Sequence, residues 1–340
     1  METFWRILIF FLTIFLISET GGSAGEYRML MTNEVSSTHW KTDLMEEFAR
    51  LIENRSHGRI QVKVFSGGQL FTDKSAIMAL GTGAVHMVWP VSVRVEALRQ
   101  SYGVVNLPFA LSDKLILDKK GFKEGLLDIL SRTLEQDVIR VMGLLRADEL
   151  VFVFRDHRPK IVDDMANLKI RVIGGQVLLD WLVELDVTPI SMPASEFTTA
   201  LSQGLIDGIH TSSDGWAKML GRLGRFGLLV PDLSIAVYSI LIDNKWLSEL
   251  PEDLQAVIYQ CVEEISLKQW RFSMKKTQEA FQKIRKEFGA EIYTVEKREI
   301  REWVVKVSPS YSRFSKKYPD IFEAFVRLHK LHGRIWPPEF

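Results

Sequence analysis

One arginine stands where the surrounding pattern has little use for a charge. In "NLKIRVIGG" (167–175), Leu168, Ile170 and Val172 alternate with Lys169 and Arg171, which is the period of a strand with one apolar face. The stretch runs into Gly174 and Gly175 and then into an apolar helical pattern. Such a strand is covered by helices, and a guanidinium stays charged inside a protein. A buried Arg171 therefore needs an anion, either an acidic side chain or a bound ligand.

Other reactive-looking residues point away from catalysis. Cys261 is the single cysteine and shares a helical register with Val257, Ile258 and Ile265, so it reads as a small buried hydrophobe. "GGSAG" (21–25) spells a nucleophile elbow, but a strand must precede that motif and a helix must follow it, and here it straddles an expected cleavage site. No nucleophile–base–orienter spacing and no metal-ligand motif is visible, so neither an enzyme nor a cofactor is expected.

The elements that would position Arg171 follow an α/β rhythm. Strands are expected at 26–31, 60–65 and 84–89, with helices at 40–52 and 74–80 between them. The rhythm returns with strands at 151–154, 168–172 and 206–211 and helices at 176–185 and 195–201. "ALGTGAVHMV" (79–88) and "ALSQGLIDGI" (200–209) repeat a helix–glycine–strand unit, with Gly83 and Gly204 at the left-handed cap position. After Pro251 the chain holds no glycine or proline through Phe288. Glu252 and Asp253 open that run, and Lys283, Arg285 and Lys286 close it before Gly289. One helix of ~37 residues would reach ~55 Å, wider than a small domain, so it is expected to bridge two.

Composition bounds the rest. The chain has 340 residues, 46% of them hydrophobic, enough for two domains with substantial cores. Lysine plus arginine is 43 and aspartate plus glutamate is 43, and no basic stripe interleaved with aromatics appears, which argues against a nucleic-acid partner. Arg6, the apolar run "ILIFFLTIFLI" (7–17) and the small residues "GGSA" (21–24) have the order of a secretory signal peptide. That run is too short for a bilayer span of ~20 residues, so cleavage is expected near Ala24, with Gly25 leading an exported, periplasmic protein.

Several segments together resemble the solute-binding proteins of tripartite ATP-independent periplasmic (TRAP) transporters. They are "GRIQVKVFSGGQL" followed by "ALGTGAVHMV", "NLPFALSD" (106–113), "MANLKIRV" (165–172), "MPASEFTTALSQGLIDG" (192–208) and "NKWLSELPEDLQ" (244–255). The resemblance implies an α/β, two-lobed periplasmic solute-binding fold, a ligand cleft between the lobes and a long helix spanning both. It divides the chain into a signal peptide (1–24), a first lobe (25–148) and a second lobe (149–235). A return to the first lobe with half of the long helix (236–272) follows, then a return to the second with the C-terminal helices (273–340). It implies capture of a small organic acid and delivery to membrane-embedded transporter subunits. A ligand-presenting sensory module is the alternative, and an exported enzyme is a more distant one.

The family's carboxylate-binding arginine falls on Arg171, which would make the missing anion the ligand. The fork of N–H groups explains arginine rather than lysine there. Thr211, behind His210, falls where the family has an asparagine, and Trp89, Phe152 and Asp73 are further cleft candidates. Many members have a second cleft arginine some twenty residues before the first. Here that stretch reads "ELVFVF" (149–154), with Arg146 and Arg155 displaced, so a cleft less cationic and more apolar is expected. The family contains members that hold a metal with the solute, although no motif for one is seen.

Overall fold

The computed structural model describes residues 26–134 and 138–338, so the expected signal segment and its cleavage point lie outside the described residues. Two sheets form the two lobes. The first holds β1 (Tyr27–Thr32), β2 (Ile60–Phe65), β3 (Met87–Val88), β4 (Ile139–Glu149) and β10 (Ile235–Asp243), in the order β2-β1-β3-β10-β4. The second holds β5 (Val151–Phe154), β6 (Lys169–Val172), β7 (Thr188–Ser191), β8 (Gly208–Thr211), β9 (Phe226–Leu229) and β11 (Glu291–Thr294). Its order is β11-β9-β5-β8-β6-β7. β1, β2 and β3 are parallel, as are β6, β7 and β8, while β10 and β5 run against their neighbours.

The chain passes between the lobes repeatedly. β4 leads into β5 through Leu150, and β9 leads back into β10 through residues 230–234. The two passages lie side by side, with the Leu150 N–H donating to the Ser234 carbonyl at 2.9 Å. The third connection is the helix Glu252–Phe288, 37 residues long and thus about 55 Å. Pro251 stands at its N-cap, and Gly289, at φ +70°, ends it. Leu254, Ile258, Cys261, Val262 and Ile265 enter the core of the first lobe, and Phe281 and Ile284 enter that of the second. Between them the helix meets charged groups of β4. Asp148 accepts from Thr277 Oγ1 (2.5 Å) and from the N–H (2.8 Å) and Oγ (2.7 Å) of Ser213, joining one strand, the spanning helix and the second lobe.

The structure corrects the sequence reading in three places. The family resemblance allots residues 273–340 to the second lobe, but the last helix, Pro319–Leu331, packs on the helix Phe122–Arg132 of the first. There Phe325, Leu328 and Trp336 complete an apolar cluster with Phe122 and Leu126, and Trp336 Nε1 and Tyr311 OH donate to the Pro108 carbonyl at 3.2 and 3.0 Å. The helix Asp73–Ala79 ends on Leu80, so Gly81 (φ +84°) and not Gly83 follows its cap. The residue pattern assigns no strand to 139–149 or 235–243, where β4 and β10 form the crossing strands that the family resemblance implies. Among the described residues, no helix is long and apolar enough to cross a membrane.

Candidate functional site

A cavity of about 240 Å³ lies where the two sheets face each other. The first lobe contributes residues 91–93, Asn106 and Tyr238, and the second contributes Arg171, Ile173, Phe197, His210, Thr211 and Met219. The crossing segments at Leu150, Ser234 and Ile235 complete it. It therefore sits at the C-terminal ends of the parallel strands β6 and β8, the edge where open α/β sheets take ligands.

Arg171 is placed by β6, whose residue pairs with Ile190 of β7 and Ile209 of β8. It is 4% exposed. Its Nε and Nη2 both donate to the Met192 carbonyl, at 2.9 and 2.7 Å, and the guanidinium lies 4.8 Å from the centre of the Phe197 ring. The side-on edge is thus held by one backbone oxygen, while Nη1 makes no bond to another described residue. No acidic side chain among the described residues pairs with Arg171, and burial alone pulls its pKa down to about 10. This is a desolvated cation whose counter-charge is not supplied by the surrounding fold. Arg171 is also the single charged side chain among the described residues that line the cavity.

His210 follows from strand pairing. It stands directly opposite Phe152 across the β5–β8 ladder, and the two rings stack at 4.6 Å and 29°. Trp181 meets His210 edge-on at 5.6 Å and 89°. Neither ring nitrogen of His210 has a hydrogen-bond partner. Burial first, and the nearby Arg171 second, push its pKa down to about 3, so the ring is neutral. Thr211 ends the same strand on the cavity wall. Phe152 is buried beneath His210 and does not itself line the cavity.

Trp89 and Asp73 are not brought to the cavity. The Trp89 ring is turned into the core of the first lobe, edge-on to Phe48 at 5.6 Å, because its strand buries Met87 and Trp89 together against the helix Trp40–Arg55. The chain exposes the next residues, 91–93, to the cavity instead. Asp73 lies in the first turn of its helix after the Thr72 cap, buried, with its N–H bonded to Glu34 at 3.0 Å. Arg146 and Arg155 are occupied elsewhere. Arg146 donates to Asp113 (2.8 Å) and Thr277 (2.9 Å), and Arg155 reaches the carbonyls of Leu201 and Ser202.

Tyr238, on β10, was missed. It faces the cavity with Lys41 4.5 Å from its ring centre, and burial beside Asp73 and Glu34 holds its phenol protonated, with a pKa near 12. The apolar run "IAVYSILID" (235–243) marks a buried strand but does not single out Tyr238.

A second contact joins the lobes beside the cavity. Glu96, 1% exposed on the first-lobe helix Ser92–Glu96, accepts from the Val177 N–H at 2.8 Å and from Asn106 Nδ2 at 2.6 Å. Val177 is in the first turn of the second-lobe helix Gln176–Val183, so this carboxylate caps a helix of the opposite lobe. Gly175 permits the approach. Its φ is +97°, and a Cβ there would stand 2.9 Å from Val93 Cγ1.

Residues 31–317 match the family described as bacterial extracellular solute-binding protein, family 7. The C4-dicarboxylate-binding protein DctB of Bacillus subtilis (strain 168) is 23% identical over 270 residues, 79% of this chain and 76% of that one. A TRAP periplasmic solute-binding protein from Ochrobactrum anthropi, with its C-terminus bound in the ligand-binding pocket, has a TM-score of 0.80 at 22% identity, covering 91% of this chain and 97% of that one. Another, from Sulfurospirillum deleyianum DSM 6946 with bound succinate, has a TM-score of 0.70 at 20% identity, covering 89% and 98%.

Proposed function

This chain belongs to the bacterial extracellular solute-binding proteins of family 7, and from that premise we propose that it captures a small organic acid outside the cytoplasm and hands it to the membrane subunits of a TRAP transporter. The observation that carries the reading is Arg171. It is a buried guanidinium at a sheet edge, with one edge fixed by Met192 and no acidic partner among the described residues. A solute carboxylate at the remaining Nη1/Nη2 edge supplies the anion through two parallel hydrogen bonds. Thr211 and His210 add polar contacts from β8, and Phe152 holds the His210 ring in place. The succinate bound by the Sulfurospirillum protein is consistent with a carboxylate ligand at the same level of generality.

The solute carries one carboxylate and a largely apolar body. Beyond Arg171 the wall offers no second cation among the described residues, and Ile173, Leu178, Phe197 and Met219 give it an apolar share. An exported location, with the first 24 residues removed, accompanies this role. Melting-temperature shifts against paired mono- and dicarboxylic acids, followed by calorimetry of those that respond, test it. Monocarboxylates with branched or aromatic bodies should raise the melting temperature and succinate should not. A strong preference for a C4-dicarboxylate or a sialic acid would overturn the single-carboxylate reading.

A further inference from the structure

We propose that Tyr238 reads the body of the solute from the first lobe: its hydroxyl donates a hydrogen bond to an uncharged oxygen acceptor, a keto, amide or hydroxyl oxygen, set apart from the carboxylate. The inference rests on the reading that Arg171 holds the carboxylate, and goes beyond it by naming a second group on the solute and the residue that selects it.

The sheet turns Tyr238 to the cavity. It stands directly opposite Val91 in an antiparallel bridge, and residues so paired share one face of a sheet; Val91 lines the cavity as well. The next residue, Ser239, takes the other face, where it is fully buried and accepts from Tyr102 OH at 2.6 Å. The Tyr238 ring is held by Trp40, edge-on at 5.7 Å and 73°, and by the Lys41 ammonium, 4.5 Å from its centre. On the same wall Ser92 and Asn106 are already engaged. Ser92 Oγ donates to Asn106 Oδ1 at 2.7 Å, and Asn106 Nδ2 donates to Glu96 at 2.6 Å. The Tyr238 hydroxyl has no hydrogen-bond partner among the described residues, and unlike the His210 nitrogens it is not sealed off from the cavity.

Arg171 belongs to the second lobe and Tyr238 to the first, so a solute whose carboxylate is seated on Arg171 presents a different atom to Tyr238. Burial, with Asp73, Glu34 and Asp214 nearby, pushes the phenol pKa up to about 12, so the group is an O–H donor at neutral pH. The same acidic side chains decide the charge of the atom it meets. A second carboxylate beside Tyr238 would be placed among them, and the Lys41 ammonium that could offset the repulsion already donates to the Trp89 carbonyl at 3.0 Å. A neutral oxygen takes the hydrogen bond without that repulsion. A hydrocarbon body offers nothing, and leaves the O–H desolvated and unpaired when the solute fills the cavity. Sites built to hydrogen-bond a group discriminate against analogues lacking it for that reason.

The test is calorimetry of the wild-type protein with isosteric acids in three matched series: 4-oxopentanoate, 4-methylpentanoate and succinate; 5-oxohexanoate, 5-methylhexanoate and glutarate; and 6-oxoheptanoate, 6-methylheptanoate and adipate. Within each series a keto group, a methyl branch and a second carboxylate occupy the same place. At the length that spans the cavity, the keto acid should bind at least about tenfold more tightly than the methyl-branched acid and the dicarboxylate. Tyr238→Phe removes the hydroxyl and keeps the ring against Trp40 and Lys41. It should bring the keto acid down to the affinity of the methyl-branched acid, and its melting curve establishes that it folds. Equal keto and methyl-branched affinities at every length, or a keto preference that survives in Tyr238→Phe, would overturn this inference and leave the Arg171 reading standing. A dicarboxylate as the tightest ligand, or binding of no acid in any series, would overturn the single-carboxylate reading and this inference with it.

Discussion

Arg171→Ala separates two uses of a buried arginine, because affinity and stability move in opposite ways under each. Burial pulls the guanidinium pKa down to about 10, a displacement worth about 3 kcal/mol against the charged form in the folded protein. The cost is present across the neutral range, where the group is charged in both folded and unfolded chains. Against it stand two hydrogen bonds to the Met192 carbonyl and the stacking on Phe197, about 1 kcal/mol each. The unliganded protein should therefore lose or gain no more than about 1 kcal/mol on truncation, measured by urea denaturation. Ligand binding should suffer far more. Removing one partner of a desolvated charge pair costs about 2–5 kcal/mol, so the dissociation constant should rise by about 30-fold to several thousand-fold in calorimetric titration. Arg171→Lys should also bind poorly, because an ammonium cannot span both carboxylate oxygens while bonded to Met192. Near-wild-type affinity in Arg171→Ala, or a stability loss of several kcal/mol without ligand, would refute the reasoning.

Three further outcomes concern the fold. The unfolded His210 takes a proton near pH 6.5 and the folded one near 3, so the unfolded chain binds more protons in that interval and the stability due to neutral His210 falls with pH. The unfolding free energy of wild type relative to His210→Phe should drop by about 2 kcal/mol between pH 7 and pH 5; a constant difference would mean the ring titrates normally in the fold. Gly175→Ala combines a left-handed φ of +97° with a Cβ 2.9 Å from Val93 Cγ1, and should cost roughly 1–3 kcal/mol. Gly83→Ala, at φ +79° with nothing within 4 Å, carries only the backbone strain and should cost less by urea titration.

What could be read from the sequence was local. β6 and the helix Glu252–Phe288 announced themselves through alternation, an uninterrupted run and end signals within a few residues of each terminus. β4 did not, because "IRVMGLLRADE" carries Arg146 and Asp148 at positions that are 1% and 3% exposed. Those charges look like surface residues until Asp113, Thr277 and Ser213 arrive from distant parts of the chain to meet them. Trp89 failed for a related reason. Its place beside Pro90 marks a strand end correctly, but which face the ring takes depends on Phe48, contributed by a helix some forty residues earlier. The second-lobe wall was partly legible because Arg171, His210 and Thr211 sit on short strands ending at the same edge. The first-lobe wall, residues 91–93 and Tyr238, exists only once β10 returns beside β3.

That return of the chain has a consequence for how such a protein can diversify. The cavity draws on side chains within the segments 91–93, 106, 147–150, 171–178, 194–197, 210–219 and 234–238, which come in turn from the first lobe, a crossing strand, the second lobe and the returning strand. The second-lobe wall lies within the continuous block 171–219, but the first-lobe wall is split between residues 91–106 and the returning strand at 234–238. Recombination within the first lobe would import half of its wall, and exchange of the second-lobe block would put the Asp148 and Glu96 contacts that cross the lobes against foreign partners. Point substitution at a wall position leaves those contacts whole. New solute preferences on this scaffold should therefore accumulate one side chain at a time, and positions such as 197, 210 and 219 are open to change without disturbing the interleaved chain that holds the two halves together.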